Sequence, residues 1–280
     1  HHPIHKNIFT PRFAYKWKMD DQRVFRLNAG TGFRVVNLFT EDHAALTGTR
    51  QVIFNTDLKP ESSWNGNVNF VKKIFSKEGT FVTLDATAFY TYFTNRIIAD
   101  YETDISKIIY DNLNGYAVSK GVSLNTDVVF KNGLKVLAGG TLMDVFFEDN
   151  GIKQRQLLTE RFSAVWNVGY AFKNAGITID YTGNVYGPMR LPLLGPLDDR
   201  AAVSPVWSVQ NIQLTKKLGK ALEIYGGVKN LLNYTPPANS IARAFDPFNK
   251  QVLYDSNGHV LATPDNPQAL VFDPSYLFAP

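Results

Sequence analysis

Apolar and polar residues alternate one for one along most of this chain, and the alternation stops and restarts about ten times. The first stretch sets Phe9, Phe13, Tyr15 and Trp17 on one side against Thr10, Arg12, Ala14 and Lys16. Later stretches repeat the pattern. Trp64, Val68 and Phe70 oppose Asn65, Asn67 and Asn69, and Val82, Leu84, Ala86, Ala88, Tyr90 and Tyr92 oppose Thr83, Asp85 and Thr87. A side-chain period of two belongs to strands with one apolar and one polar face. It predicts about ten strands, near residues 9–17, 25–30, 64–70, 82–92, 122–130, 136–142, 162–172, 178–185, 206–214 and 222–229. The stretch near 206–214 is the least clear, because neither of its sides is cleanly apolar.

The connections fall into two kinds. Tight turns are expected at Met19–Gln22, Ser76–Gly79, Lys131–Gly133, Lys173–Gly176 and Lys216–Lys220, where Gly, Asn, Asp and Lys cluster. Between them lie long irregular stretches at 34–61, 94–116, 147–160 and 187–205, and another after Tyr234. Short and long alternate throughout. A meander with its short turns at one end and its long loops at the other is the layout of an antiparallel up-and-down transmembrane β-barrel.

A soluble β-sandwich also alternates. Three features favour the barrel. The alternating stretches reach ten residues or more, enough to cross a bilayer at a tilt. Aromatics sit near strand ends (Trp17, Phe33, Trp64, Tyr90, Tyr92, Trp166, Tyr170 and Phe172), as in interfacial girdles. The opposite face carries Asn, Thr, Asp and Arg in numbers that suit a wide, wet interior.

Composition adds little beyond this. Aromatics make up 13% of the 280 residues, charged residues 19%, and mean hydropathy is −0.17, so no run approaches a spanning helix. The absence of cysteine excludes disulfides and thiolate metal sites within these residues. A net charge of +4 without Lys/Arg blocks argues against nucleic acid as a partner. The first residue is His1, with neither Met nor a signal-peptide pattern, which suggests a start inside a longer polypeptide. Motifs for phosphate loops, dinucleotide binding, nucleophile elbows and zinc proteases do not occur, so no catalytic residue, metal site or cofactor is expected.

Four motifs, in order, resemble those of the TonB-dependent outer-membrane receptors. They are Arg26-Leu27-Asn28-Ala29-Gly30-Thr31-Gly32-Phe33-Arg34, Leu58-Lys59-Pro60-Glu61, Asn114-Gly115-Tyr116-Ala117 with Lys120-Gly121-Val122-Ser123-Leu124, and Val228-Lys229-Asn230-Leu231-Leu232-Asn233. The resemblance covers nearly all of residues 1–280 and is nearest to receptors of Bacteroidetes type. It departs at Val35-Val36, where the family usually continues its arginine box with Ala-Pro. The resemblance implies a C-terminal portion of a 22-stranded barrel, with about ten strands present and the plug domain and last strand outside these residues. Both chain ends would then lie in extracellular loops.

What the resemblance implies for function is active uptake of a scarce ligand, energised by the TonB complex through an N-terminal segment, with a ferric siderophore as first expectation. Haem or cobalamin taken up by the same mechanism, or a passive porin or other non-transport barrel, are the alternatives. Expected partners are outer-membrane lipid or lipopolysaccharide, the small-molecule or metal-chelate ligand, and a surface lipoprotein. Arg34, Tyr101, Tyr186, Arg190 and Arg243 are the candidate ligand-binding residues, because guanidinium groups pair with carboxylate and catecholate oxygens and aromatic rings stack on aromatic chelates. His43 joins them because haem receptors of this family place an axial histidine between the two boxes. Each of the six has an equally simple reading as a residue that closes a loop. His1, His2 and His5 read more simply as solvated loop residues than as a metal site. The inward-facing Arg12, Lys16, Arg26, Asp85, Asp127, Asp180 and Glu223 are expected to bond the plug or luminal water.

Overall fold

A computed structural model describes residues 9–34, 51–55, 58–100, 103–104, 107–191, 201–219, 221–235, 253–257, 259 and 261–263. Ten strands run in one antiparallel meander. In spatial order they are β1 (Arg12–Lys18), β2 (Arg23–Arg34), β4 (Glu61–Phe75), β5 (Phe81–Thr94), β8 (Gly115–Val129), β9 (Leu134–Asp149), β11 (Phe162–Phe172), β12 (Ile177–Tyr186), β13 (Trp207–Leu218) and β14 (Leu222–Val228). These are the ten strands the alternation predicts. The order along the chain is the order across the sheet. The described strands leave β1 and β14 as the two edges, so the sheet is not closed within them.

The register carries the two-faced pattern across the whole sheet. Trp17 pairs with Phe25 and Phe25 with Phe70, and the same apolar row continues through Ala86, Leu124, Gly140, Ala164 and Val185. On the other face Arg26 pairs with Asn69, Ser123 with Thr141, and Thr182 with Asn211. A one-residue slip in any strand would exchange the faces, so each pairing reinforces its neighbours. The apolar side chains are left in the open: Trp64 is 66% exposed and Leu142 61%. A soluble sheet would bury such a face. The polar face bonds to itself. Arg26 donates to Asn69 (2.8 Å), and Asn69 donates to Asp85 (2.6 Å) and Thr87 (2.9 Å). Arg26 and Asp85 are thus linked through Asn69.

The five tight turns link β1–β2, β4–β5, β8–β9, β11–β12 and β13–β14 at one end of the sheet. The long connections lie at the other end and have structure of their own. Strands β3 (Gln51–Phe54), β6 (Ile97–Asp100) and β7 (Lys107–Asn112) come from two different loops and make a small separate sheet in the order β3-β7-β6. Its core is Ile97, Ile108 and Tyr110, with Phe54 stacked on Tyr110 at 4.9 Å. Strand β10 (Ile152–Arg155) doubles back on the end of β9. Beyond β14, Asp255 N–H donates to the His259 carbonyl (2.8 Å) and Leu261 N–H to the Leu253 carbonyl (2.7 Å).

Strands of 14 to 16 residues, as in β4, β5, β8 and β9, span roughly 50 Å at 3.3 Å per residue. A tilted crossing of the hydrocarbon core uses about ten residues. The remainder projects past it and carries the loop end.

Candidate functional site

Two clusters occupy the loop end of the polar face. The first is built by the two boxes singled out in the sequence. Arg34 closes β2 and Glu61 opens β4 directly opposite it, and the Arg34 guanidinium Nε donates to Glu61 Oε2. Glu61 is buried (7% exposed), and its second oxygen accepts the Ile97 N–H at 2.8 Å. Pro60, which has no N–H to give a ladder, stands just before the strand begins, where proline is tolerated. Arg96 completes the group. Asn95 turns the chain with a φ of 51°, and Arg96 then lies over the Phe93 ring at 5.3 Å. Its Nη1 is buried with no hydrogen-bond partner among the described residues. Burial pulls the Arg96 pKa below its ordinary value, Glu61 opposes that shift and Arg34 adds to it.

Gly32, Ser63 and Phe93 line a cavity of about 370 Å³ together with Arg34, Glu61 and Arg96. A Cβ on Gly32 would lie 2.5 Å from Ser63 Oγ, so the bare backbone there keeps the cavity open. Two guanidinium groups against one carboxylate leave a net positive charge on a polar hollow. That arrangement attracts a carboxylate, phosphate or catecholate oxygen.

The second cluster is aromatic. Tyr186 ends β12 and pairs with Trp207, the first residue of β13; both face the polar side. Their rings stack at 4.5 Å, and Tyr234 stacks on the far side of Trp207 at 5.8 Å. The Val-Lys-Asn-Leu-Leu-Asn motif places Tyr234 there. Asn230, at a φ of 51°, accepts the Tyr234 N–H (2.9 Å) and donates to the Tyr234 carbonyl (2.8 Å), so the chain curls back after β14. Met189 and Leu191 bury Trp207 to 7% exposure, and Leu158 packs against them from the connection between β10 and β11. A short ladder fixes the covering segment: Leu191 N–H to Ala202 (2.9 Å), Ser204 N–H to Met189 (2.8 Å) and Leu158 N–H to Arg190 (2.8 Å). The Arg190 side chain donates to the Arg155 carbonyl at 3.2 Å. Trp207 Nε1 and Tyr234 Oη are buried without a hydrogen-bond partner among the described residues, and burial raises the Tyr234 pKa.

Of the six residues singled out in the sequence, Arg34 therefore lies in the first cluster and Tyr186 and Arg190 in the second. His43, Tyr101 and Arg243 lie outside the described residues, as do His1, His2 and His5. The two clusters are five strand spacings apart, about 24 Å along the sheet at ~4.8 Å per strand. Glu61, Arg96, Trp207 and Tyr234 were missed as site residues. The signal for Trp207 was present in the sequence: with Val209 it puts large apolar groups on the polar side of an otherwise alternating strand, which is why that strand reads as irregular. Among the described residues no group of three or more His, Cys, Asp or Glu side chains is placed to hold a metal ion.

A family model described as the TonB-dependent receptor-like β-barrel matches residues 3–231. Solved structures with a similar fold include the FrpB iron transporter of Neisseria meningitidis, at 16% identity over 80% of this chain and 35% of that one, with a TM-score of 0.59. The ferripyoverdine receptor of the Pseudomonas aeruginosa outer membrane, bound to ferripyoverdine, is 15% identical over 81% of this chain and 29% of that one, with a TM-score of 0.61. The ferric-catecholate import receptor Fiu of E. coli is 14% identical over 80% of this chain and 30% of that one, with a TM-score of 0.59. The chain spans about a third of the length of these structures, and at such identities the likeness establishes the fold alone. No curated protein matches the sequence.

Proposed function

As this chain belongs to the TonB-dependent receptor β-barrel family, we propose that it forms part of the barrel wall of a receptor for TonB-energised uptake of a scarce extracellular ligand, a ferric siderophore. Its place is the bacterial outer membrane, which it crosses with strands; no helix among the described residues is long and apolar enough to cross a membrane. The apolar face meets lipid, the polar face lines the lumen, the tight turns face the periplasm and the long loops face outward.

The observation that carries the siderophore reading is the pairing of an arginine-rich hollow with an aromatic cluster on the luminal face at the loop end. Ferric siderophores combine anionic chelating oxygens with a partly aromatic or apolar frame. Arg34 and Arg96 would take the former, with Glu61 holding Arg34 in place, and Tyr186 with its covering loop would meet the latter. Below them the Arg26–Asn69–Asp85 network presents donors and acceptors to whatever fills the lumen. In this reading the chain performs no catalysis; it binds and releases, and the energy comes from TonB acting on a segment outside these residues.

The test is uptake of radiolabelled iron, supplied as catecholate, hydroxamate and carboxylate siderophores, by cells that carry or lack this gene. Uptake of at least one chelate is expected to need both the gene and an energised TonB, while binding persists without TonB. Passage that is indifferent to TonB would replace the reading with a passive channel.

A further inference from the structure

The small sheet at the loop end meets the arginine-rich hollow through one side chain. The β4–β5 ladder stops at Ser62 and Thr94, one pair short of Glu61. Pro60 has no N–H to carry it further, and Asn95, at a φ of 51°, turns the other strand away. The two chains therefore part just where Glu61 and Arg96 line the same hollow.

Asn112, the last residue of β7, fills the gap. Its Oδ1 accepts the Lys59 N–H at 2.6 Å, and its Nδ2 donates to the Lys59 carbonyl at 2.9 Å and the Asn95 carbonyl at 2.7 Å. Both N–H groups and one acceptor site of the amide are thus engaged by the backbone of two other segments. Lys59 stands two residues before Glu61, and Asn95 one residue before Arg96. The next residue adds a further bond at the same corner, since Leu113 N–H donates to the Arg96 carbonyl at 2.8 Å. Asn112 is itself held from the other side. It pairs with Ile97 in the small sheet, and its N–H donates to Asp111 Oδ1 at 2.7 Å. The other Asp111 oxygen accepts from the Asn55 side chain, just past β3, at 3.0 Å.

Arg96 depends on this corner more than Arg34 does. The Arg34 guanidinium is held by the Glu61 carboxylate. Arg96 has Nη1 buried without a hydrogen-bond partner among the described residues, so its backbone and the Phe93 ring set its position. We propose that Asn112 is a positioning residue for ligand capture, and that the small sheet is the bracket that carries it. By tying the Asn95 backbone to that of Lys59, Asn112 keeps Arg96 turned into the hollow beside Glu61. It thereby sets how tightly the hollow takes an anionic group, without touching that group itself. For the anion, the oxygens of a ferric chelate, this rests on the siderophore reading above.

The test uses the full-length receptor in mild detergent, with ferric tris-catecholate as the anionic probe. Asn112→Ala removes three hydrogen bonds and is expected to bind the probe about tenfold more weakly. Asn112→Leu, which fills the same space without hydrogen bonds, is expected to do the same and gives a second reading should the alanine variant fold poorly. In an Arg96→Gln background either change is expected to cost less than about twofold, because Asn112 acts through Arg96. Equal losses in both backgrounds would show a purely structural role and overturn the proposal, as would wild-type affinity in Asn112→Leu. Hydrogen exchange tests the bracket without any probe. The Ile97 amide, which donates to Glu61, is expected to exchange about tenfold faster in both variants, and unchanged exchange there overturns the proposal. A wild type that does not bind the chelate overturns the capture role. Binding and exchange as expected in a receptor that transports nothing would support the role of Asn112 and sink the transport reading alone.

Discussion

Replacing Trp207 by alanine should release the loop that covers it while leaving the barrel strands intact. The indole is 7% exposed, stacks on two tyrosines and is covered by Met189 and Leu191. Truncating a buried tryptophan costs about 3–5 kcal/mol, a range that already includes the ring stacking. The low end applies, since one ring neighbour, Tyr234, lies past the last strand, at the end of the turn after β14, and can move into the space. A loss of ~3 kcal/mol shifts the local opening equilibrium by roughly a hundredfold.

Hydrogen exchange on the detergent-solubilised receptor reads this directly, because segments that open locally exchange ahead of the rest. The amides of Leu191 and Ser204, which close the ladder over Trp207, are expected to exchange about a hundredfold faster in the variant. Those in the middle of β9 are expected not to change. Trp207→Phe keeps a stacked ring and removes an indole N–H that has no partner among the described residues, so it should cost only about 1 kcal/mol. Unchanged exchange at Leu191 and Ser204 in Trp207→Ala would refute the claim that this stack holds the loop. Faster exchange throughout the sheet would show that Trp207 supports the barrel rather than the loop.

Further outcomes follow from other sites. Glu61→Ala removes the acceptor of the Ile97 N–H and should cost about 1–3 kcal/mol locally, seen as faster exchange at Ile97 and Leu113. Gly133 sits at a φ of +96° with its would-be Cβ 2.8 Å from the Ala171 carbonyl oxygen; Gly133→Ala should destabilise the receptor by about 1–2 kcal/mol, read as a lower urea midpoint. In the first turn the Asp20 carboxyl is held below its ordinary pKa, chiefly by its hydrogen bond from Arg23 and then by the backbone of Gln22. A depressed folded-state pKa stabilises above the unfolded value, and that contribution fades as pH falls through the carboxylate range. Protection of the Arg23 amide should therefore drop on acidification in the wild type and stay flat with pH in Asp20→Asn.

The frame of the molecule is legible in the sequence because a barrel strand states its environment residue by residue. In β5, Val82, Leu84, Ala86, Ala88, Tyr90 and Tyr92 all lie on the face the period assigns, with Phe89 the one large apolar residue between them on the other, and the tight turns fall where Gly, Asn and Asp gather. The small sheet of β3, β6 and β7 was not legible. Its strands are four to six residues long, and Val52 pairs in parallel with Ile108 across a gap of more than fifty residues, which leaves no local period to read. Strand β10 was hidden within a stretch that reads as loop, since a four-residue extension of β9's hairpin carries too little pattern. At the site, Arg34 was visible through its box, but Arg96 was not: a single arginine after a turn gains meaning only when the fold lays it beside Glu61.

The central claim, that one face of this sheet meets lipid with its loops outside the cell and its turns inside, is tested most directly by site-specific thiol labelling. These 280 residues contain no cysteine, so each introduced thiol reports alone once any cysteine elsewhere in the receptor is replaced. Single cysteines at Lys59 and Asn114 mark the loop end, and at Lys77 and Asn132 the turn end; all four positions are exposed. A maleimide that cannot cross the outer membrane is expected to label Lys59→Cys and Asn114→Cys on intact cells. It should reach Lys77→Cys and Asn132→Cys only after the outer membrane is permeabilised. Labelling of the turn positions on intact cells, or equal labelling of all four, would contradict the account.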